Sequence, residues 1–299
     1  MKRTYLLFAL LLNFSILPIF AQKNALRQKI TNIIAQQHAD VGVAIWGLES
    51  NDTLSINGNR HYPMQSVFKF HIAMAVLNKV DNGQLSLSQP LHITKSDLLP
   101  NTWSPLRDTY PNGNVNIPLS EILDYTASQS DNNGCDILLR LIGGPKTLQH
   151  YIDSLGIPDF SIKAGEEEMS KDWNVQFSNW TTPLSAAQAL RKFYERKMLT
   201  ENSTAFLWKL MANTPTGAKR IKGGLPKDAV VAHKTGTSGS NEQGISAAVN
   251  DIGIVVLPDS SHFAICVFVS NSKVSLQNDE KVIADIAKAT WDYFVTKKD

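Results

Sequence analysis

Cysteine and histidine are too few and too scattered to build a metal centre or a disulfide framework. Two cysteines stand in 299 residues, and none of the seven histidines has an H-x-H or H-x-x-x-H partner, so a zinc site is a poor fit and no metal or cofactor is expected. Cys135 (CDILL) and Cys266 (AICVFV) sit among apolar neighbours and suit a core; a disulfide between them stays open, with nothing to indicate one. Charge of one sign is lacking too. The formal net charge is +2 and the basic residues form no stripe, which argues against a nucleic-acid surface; Lys297-Lys298 reads as a solvated tail. After residue 21 no apolar run approaches the roughly 20 residues needed to cross a bilayer. Internal repeats and low-complexity tracts are missing as well.

What is present is a globular composition. With 43% hydrophobic and 19% charged residues the chain can bury a large core, in one or two domains. The opening MKRTYLLFALLLNFSILPIFAQ has a basic start, an apolar run and a small residue at Ala21, the pattern of a secretory leader, so residues 1–21 are excluded from the fold. No cysteine near that cut offers a lipid anchor. A soluble monomer, periplasmic or secreted, is the expectation.

Chemistry concentrates first in His61–Val80, HYPMQSVFKFHIAMAVLNKV. Pro63 breaks preceding structure, Phe68, Ile72, Ala75 and Val76 keep a helical period, and Asp81-Asn82-Gly83 stops it. Ser66 thus opens a buried helix. Residues three apart on a helix have Cβ atoms roughly 5 to 6 Å apart, so the Lys69 amine can lie against the Ser66 hydroxyl, and the helix N-terminus favours negative charge developing beside it. The same pair also reads as an N-cap serine followed by a snorkelling lysine, and the pattern recurs at Ser270–Lys273.

Along the chain, Asn24–His38 is an amphipathic helix, Val41–Leu48 and Thr53–Asn57 a hairpin, and Leu85–Pro118 a long irregular segment anchored by Trp103 and Tyr110. Leu119–Ile142 is helical with a polar break at 128–134; helices follow at Thr147–Leu155, Leu184–Leu199 and Phe206–Ala212. Ser161–Pro183 shows no periodicity and reads as a functional loop. Strands at Ala229–Ala232, Ala247–Leu257 and His262–Ser270 precede a last helix, Asp279–Phe294. Strands at both chain ends around a helical middle predict an α/β (α+β) chain, with a discontinuous α/β domain (22–60 and 214–299), an all-α domain (61–213) and an active site at their interface.

Ser130-Asp131-Asn132 falls in the polar break, and Lys234-Thr235-Gly236 follows the strand VVAH. In the order S-x-x-K, SDN, KTG these match the set shared by serine β-lactamases and penicillin-binding proteins. The chain resembles class A serine β-lactamases from about Ile33 to its end, most of all the PER/VEB-type extended-spectrum group. Gln65 before the serine, SDNNGCDILLRLIGG, GEEEMSKDW, TGAKRIKGGLP and His233 carry that likeness. It implies an antiparallel sheet flanked by helices plus an all-α lobe, and hydrolysis of penicillins and cephalosporins through an acyl-enzyme. Ser66 would be the nucleophile, with Lys69 helping to remove its proton and the backbone N–H groups of Ser66 and Thr237 forming the oxyanion hole. Ser130 would protonate the leaving nitrogen, Asn132 would bind the acylamino group and Asp131 would brace the loop. Lys234, Thr235, Gly236, Thr237 and Arg220 would line the wall for the substrate carboxylate. Glu166 would activate the deacylating water. Departures occur at Ser170, where the family has an asparagine, and at Ala164 and Asn179, which cannot form the ion pair that usually braces the loop. A penicillin-binding DD-peptidase and a non-catalytic β-lactam sensor share part of this pattern; the glutamate loop argues against the first, and no membrane or signalling segment accompanies the second.

Overall fold

Runs of Val, Ile and Ala near the chain ends assemble into one sheet that is covered on both faces. The computed structural model describes residues 21–297; most of the leader, residues 1–20, and Lys298 and Asp299 lie outside the described residues. Helix α1 (residues 21–35) leads into strands β1 (Asp40–Gly47) and β2 (Thr53–Ile56), and the chain closes with β8 (Val231–Thr237), β9 (Val249–Val256), β10 (His262–Ser270) and helix α10 (Leu276–Thr296). These five strands form a sheet in the order β2-β1-β10-β9-β8, every neighbouring pair antiparallel. Side chains alternate across a strand, and here the odd-numbered ones (Val43, Ile45, Val255, Ile265, Val267) pack with Ile30 of α1 and Ile283 and Ile286 of α10. The even-numbered ones (Ala44, Ile252, Ile254, Cys266, Phe268) join a second core under the helical lobe. Two buried faces explain why these strands read as continuous apolar runs.

The lobe is built around α2 (Phe68–Asp81), whose residues Phe68 to Leu77 are all buried. A helix apolar all round must be enclosed, and α4 (Leu119–Ala127), α5 (Asn132–Ile142), α6 (Pro145–Ser154) and α9 (Glu201–Ala212) enclose it. Helix α8 (Pro183–Tyr194) packs on β1 and β10. The polar break is real but shorter than 128–134: α4 ends at Ala127, α5 begins at Asn132, and Asp131 caps α5 by accepting the Gly134 N–H.

Four expectations need correction. The segment 85–118 is not irregular, because β4 (Pro90–Ile93) pairs with β5 (Val115–Pro118) around a short helix α3 (Pro105–Thr109). Trp103 does not anchor by burial, being 63% exposed; it is held by its indole N–H to the Gln129 carbonyl, while Tyr110 is tied to Glu121. The segment 161–183 is ordered: β6 (Phe160–Ser161) and β7 (Trp180–Thr181) pair at its neck, together with β3 (Tyr62–Pro63), and helix α7 (Glu166–Lys171) lies between. Short strands and a six-residue helix fall below what periodicity can detect. Lastly, Lys297 does not trail in solvent; its amine lies 2.9 Å from Asp52, which also takes the Tyr293 hydroxyl and Lys23. Chain-end helices α1 and α10 are thereby tied to the β1–β2 turn.

Candidate active site

Ser66 sits in a short 3-10 turn, Gln65–Val67, immediately before α2. Gln65 adopts a left-handed φ of 47°, and its amide bonds to Gln176. Behind the turn runs β8. A Cβ at Gly236 would collide with the Met64 carbonyl, so glycine there is what lets β8 press against the serine turn.

Lys69, one turn into the helix, is fully buried, yet its amine is surrounded by oxygen. Nζ lies 2.7 Å from Ser66 Oγ, 3.0 Å from the Ser130 carbonyl, 2.5 Å from Asn132 Oδ1 and 2.8 Å from Glu166 Oε1. Glu166 Oε1 is also 3.4 Å from Ser66 Oγ. One hydroxyl therefore faces an amine and a carboxylate that are themselves paired. This is a nucleophile with two proton-handling groups in reach.

Ser130 is held in an unusual left-handed conformation, φ 62°, that turns its carbonyl to Lys69 and its hydroxyl to Lys234, whose amine donates to Oγ at 2.8 Å. Its neighbour Asp131 is buried and accepts from Ser104 Oγ, the Leu106 N–H and the Gly134 N–H, so the loop is braced as expected. Lys234 has no exposure. Burial pushes its amine well below the usual lysine range, and the Lys69 charge adds to that. Contrary to the sequence reading, the KTG triplet lies inside β8 rather than after it. The strand points Thr235 and Thr237 at a pocket of about 250 Å³ shared with Ser66, Ser130 and Arg220. Arg220 is buried, not a surface residue: its guanidinium reaches the Gly236 and Asn250 carbonyls, Thr237 Oγ1 at 2.6 Å and Glu280 at 3.3 Å. A second pocket of about 280 Å³ has Ser66 in common with it and is bounded by Asn132, Glu166, Trp173 and Gly239. The other S-x-x-K match is structural. Ser270 donates to the Ala247 carbonyl at the end of β10, and Lys273 is exposed.

A model of the β-lactamase enzyme family matches residues 25–294. The chain is 49% identical to β-lactamase VEB-1 of Pseudomonas aeruginosa, covering 98% of each sequence. It is 42% identical to the extended-spectrum β-lactamase PER-1 of the same species, over 96% of this chain and 93% of that protein. The crystal structure of TLA-1 extended-spectrum β-lactamase superposes with a TM-score of 0.90 at 52% identity, covering 91% of this chain and 99% of that one. The chain belongs to the β-lactamase enzyme family. It is a class A β-lactamase, which sets aside the peptidase and sensor readings.

This β-lactamase braces its glutamate loop in its own way. Asn179, buried at the neck, accepts the N–H groups of Lys163 and Ala164 and donates to the Ala164 carbonyl. A neutral amide thus ties two backbones in place of the ion pair that Ala164 and Asn179 cannot form. Within the segment that reads as a loop without periodicity, helix α7 carries all three glutamates. On its first turn Glu166 points to Lys69, Glu167 pairs with exposed Lys171, and Glu168 accepts the Gly165 N–H at 2.6 Å. Ser170 is exposed, and its hydroxyl donates back to the Glu167 carbonyl at 2.7 Å. Sequence reasoning missed Asp136, whose carboxylate caps α7. The one available signal was its place one turn beyond Asn132 on α5, and nothing local names a partner 30 residues away.

Among the described residues no helix is long and apolar enough to cross a membrane.

Proposed function

We propose that this class A β-lactamase opens the β-lactam ring through an acyl-enzyme on Ser66, and that its range extends to oxyimino-cephalosporins. The observation that carries the mechanism is the triangle of Ser66 Oγ, Lys69 Nζ and Glu166 Oε1, with sides of 2.7, 2.8 and 3.4 Å. Moving one proton from Lys69 to Glu166 leaves a neutral amine against Ser66 to take the hydroxyl proton as Oγ attacks the ring carbonyl. The C–N bond breaks, and Ser130, polarised by Lys234, delivers a proton to the ring nitrogen; Ser130 regains a proton from Lys69 and Lys69 recovers its own from Glu166, which leaves the carboxylate ionised for the second half. In the second half Glu166 takes a proton from water, the water oxygen attacks the ester carbonyl, and the C–O bond to Ser66 breaks as the proton returns to Oγ. Asn132 and the pocket beside Trp173 are assigned to the acylamino side chain, and Lys234, Thr235, Thr237 and Arg220 to the substrate carboxylate. Ser170, whose hydroxyl is engaged with Glu167, takes a lining role.

The cleft lies between a discontinuous α/β unit (22–60 and 214–299) and the helical unit (61–213). Each copy of the chain holds a complete set of these groups, so the scheme needs no second copy, and a monomer is the form proposed. The leader pattern at residues 1–21 supports export. Extended range is supported by the names of PER-1 and TLA-1 and by the open pocket between α7 and Gly239.

Intact-mass spectrometry with penicillins tests the nucleophile: Ser66→Ala is expected to lose both turnover and the covalent adduct, and an adduct forming at the wild-type rate would place the nucleophile elsewhere. For the range, benzylpenicillin hydrolysed well but oxyimino-cephalosporins only at background would defeat the wide-site reading.

A further inference from the structure

Three threonine hydroxyls run in file from the helical lobe to the carboxylate wall. Thr214 Oγ1 lies 2.6 Å from the Ser128 carbonyl, Thr216 Oγ1 lies 3.0 Å from Thr214 Oγ1, and Thr235 Oγ1 lies 2.9 Å from Thr216 Oγ1. Each hydroxyl has one proton, and a carbonyl can only accept. Thr214 must therefore donate to Ser128, which leaves it to accept from Thr216; the Thr216 backbone N–H also points to it, at 3.3 Å. With its own proton committed, Thr216 must accept from Thr235. Only this direction completes all three bonds. Thr235 is 5% exposed, and its methyl group lies where a Cβ at Gly217 would collide with it.

We infer that Thr216 is a positioning residue for substrate anions, one that holds the Thr235 proton away from the cleft. The hydroxyl thus meets an incoming carboxylate with lone pairs instead of a proton. To donate to that carboxylate Thr235 must give up its bond to Thr216, or Thr216 must turn to it and leave Thr214, so one bond of the file is lost either way. Thr216 makes the wall formed by Lys234, Arg220 and Thr235 weaker for anions than its charges alone would make it, which favours release of the carboxylate product. The inference rests on the proposed assignment of this wall to the substrate carboxylate.

The experiment measures competitive inhibition by inorganic sulfate against a chromogenic cephalosporin at fixed ionic strength. In Thr216→Val the valine matches the shape, Thr214 keeps both its Ser128 and backbone N–H bonds, and Thr235 is freed to donate. Sulfate is expected to bind about two- to tenfold more tightly, the worth of one neutral hydrogen bond. Thr216→Ser should bind sulfate as the wild type does, and the gain should vanish when Thr216→Val is combined with Thr235→Val. Loosened packing would not tighten anion binding or be restored by serine. Sulfate binding that is unchanged or weaker in Thr216→Val, or a gain that persists without the Thr235 hydroxyl, overturns the role of Thr216. If sulfate fails to inhibit the wild type and Thr235→Val leaves substrate KM untouched, the carboxylate wall itself is misassigned, and the inference falls with it.

Discussion

Asp136 holds Glu166 by its backbone: Oδ1 accepts the Glu166 N–H at 2.7 Å, and Oδ2 accepts the Glu167 N–H at 2.8 Å. The aim of the Glu166 side chain toward Lys69 is thus set from α5, on the far side of the loop. Gly165 leaves room for it, since a Cβ there would collide with Asp136 Oδ1.

Replacing Asp136 by Asn turns one acceptor into a donor that faces a backbone N–H. Hydrogen bonds to a charged group contribute about 1.5 to 3 kcal/mol, so deacylation should slow by roughly 10- to 100-fold while acylation continues. Burial, opposed by these two N–H groups, lifts the Asp136 carboxyl to about 6. The ionised form, which can accept both bonds, is the form present above that pH. Wild-type deacylation should therefore fall as pH drops through about 6, with the acyl-enzyme fraction rising in quenched-flow samples. A deacylation rate flat from pH 7.5 to 5 would contradict this.

Glu166→Gln should still acylate, more slowly because Lys69 loses the carboxylate that takes its proton, and then stall, giving a burst equal to the enzyme concentration and a loss of about 10²- to 10⁴-fold in steady-state turnover. Glu167→Gln should turn over like the wild type, because its carboxylate faces Lys171 on the outer side of α7. Glu168→Gln should lose some loop stability through the Gly165 contact but still deacylate. Trapping of the adduct by either of these, with normal turnover in Glu166→Gln, would move the base.

Lys234→Ala removes a buried cation that orients Ser130 and faces the carboxylate pocket, and should cost about 3 kcal/mol or more in kcat/KM. Arg220→Ala should cost less in kcat/KM but more in thermal stability than a surface arginine would, since two backbone carbonyls and Glu280 lose their donor together. Equal and negligible kinetic losses for both would show that the carboxylate binds elsewhere.

His71 gives the fold an acid-sensitive point away from the chemistry. It is fully buried on α2 against Phe70 and Phe160, and neither ring nitrogen has a hydrogen-bond partner. Burial depresses its pKa to about 3, against an opposing contribution from the Val67 backbone. The unfolded chain, with an ordinary value of 6.5, takes up the proton first. Its contribution to stability is therefore present above pH 6.5 and is lost as pH falls from there toward 3. The urea midpoint should drop across that window, and His71→Leu should make the drop shallower. An identical pH profile in the variant would assign acid sensitivity to other groups.

The sequence alone determined the features whose signals are local. Apolar periodicity marked α2 and the terminal strands, because a helix enclosed on all sides and a sheet covered on both faces must be apolar throughout. The spacing of Ser66 and Lys69 placed hydroxyl and amine together because helical geometry does so wherever the pair occurs; at Ser270–Lys273, outside a helix, it placed nothing. Only the tertiary structure decided which glutamate faces Lys69, that Asn179 and Asp136 brace the loop in place of an ion pair, and that Arg220 is buried. Each depends on atoms that meet across tens to hundreds of residues, and their bonds form only once α5, α7 and β8 have packed. The direction of the Thr214–Thr216–Thr235 file is of the same kind: no threonine encodes which way its proton points until a carbonyl at one end of the row leaves a single choice.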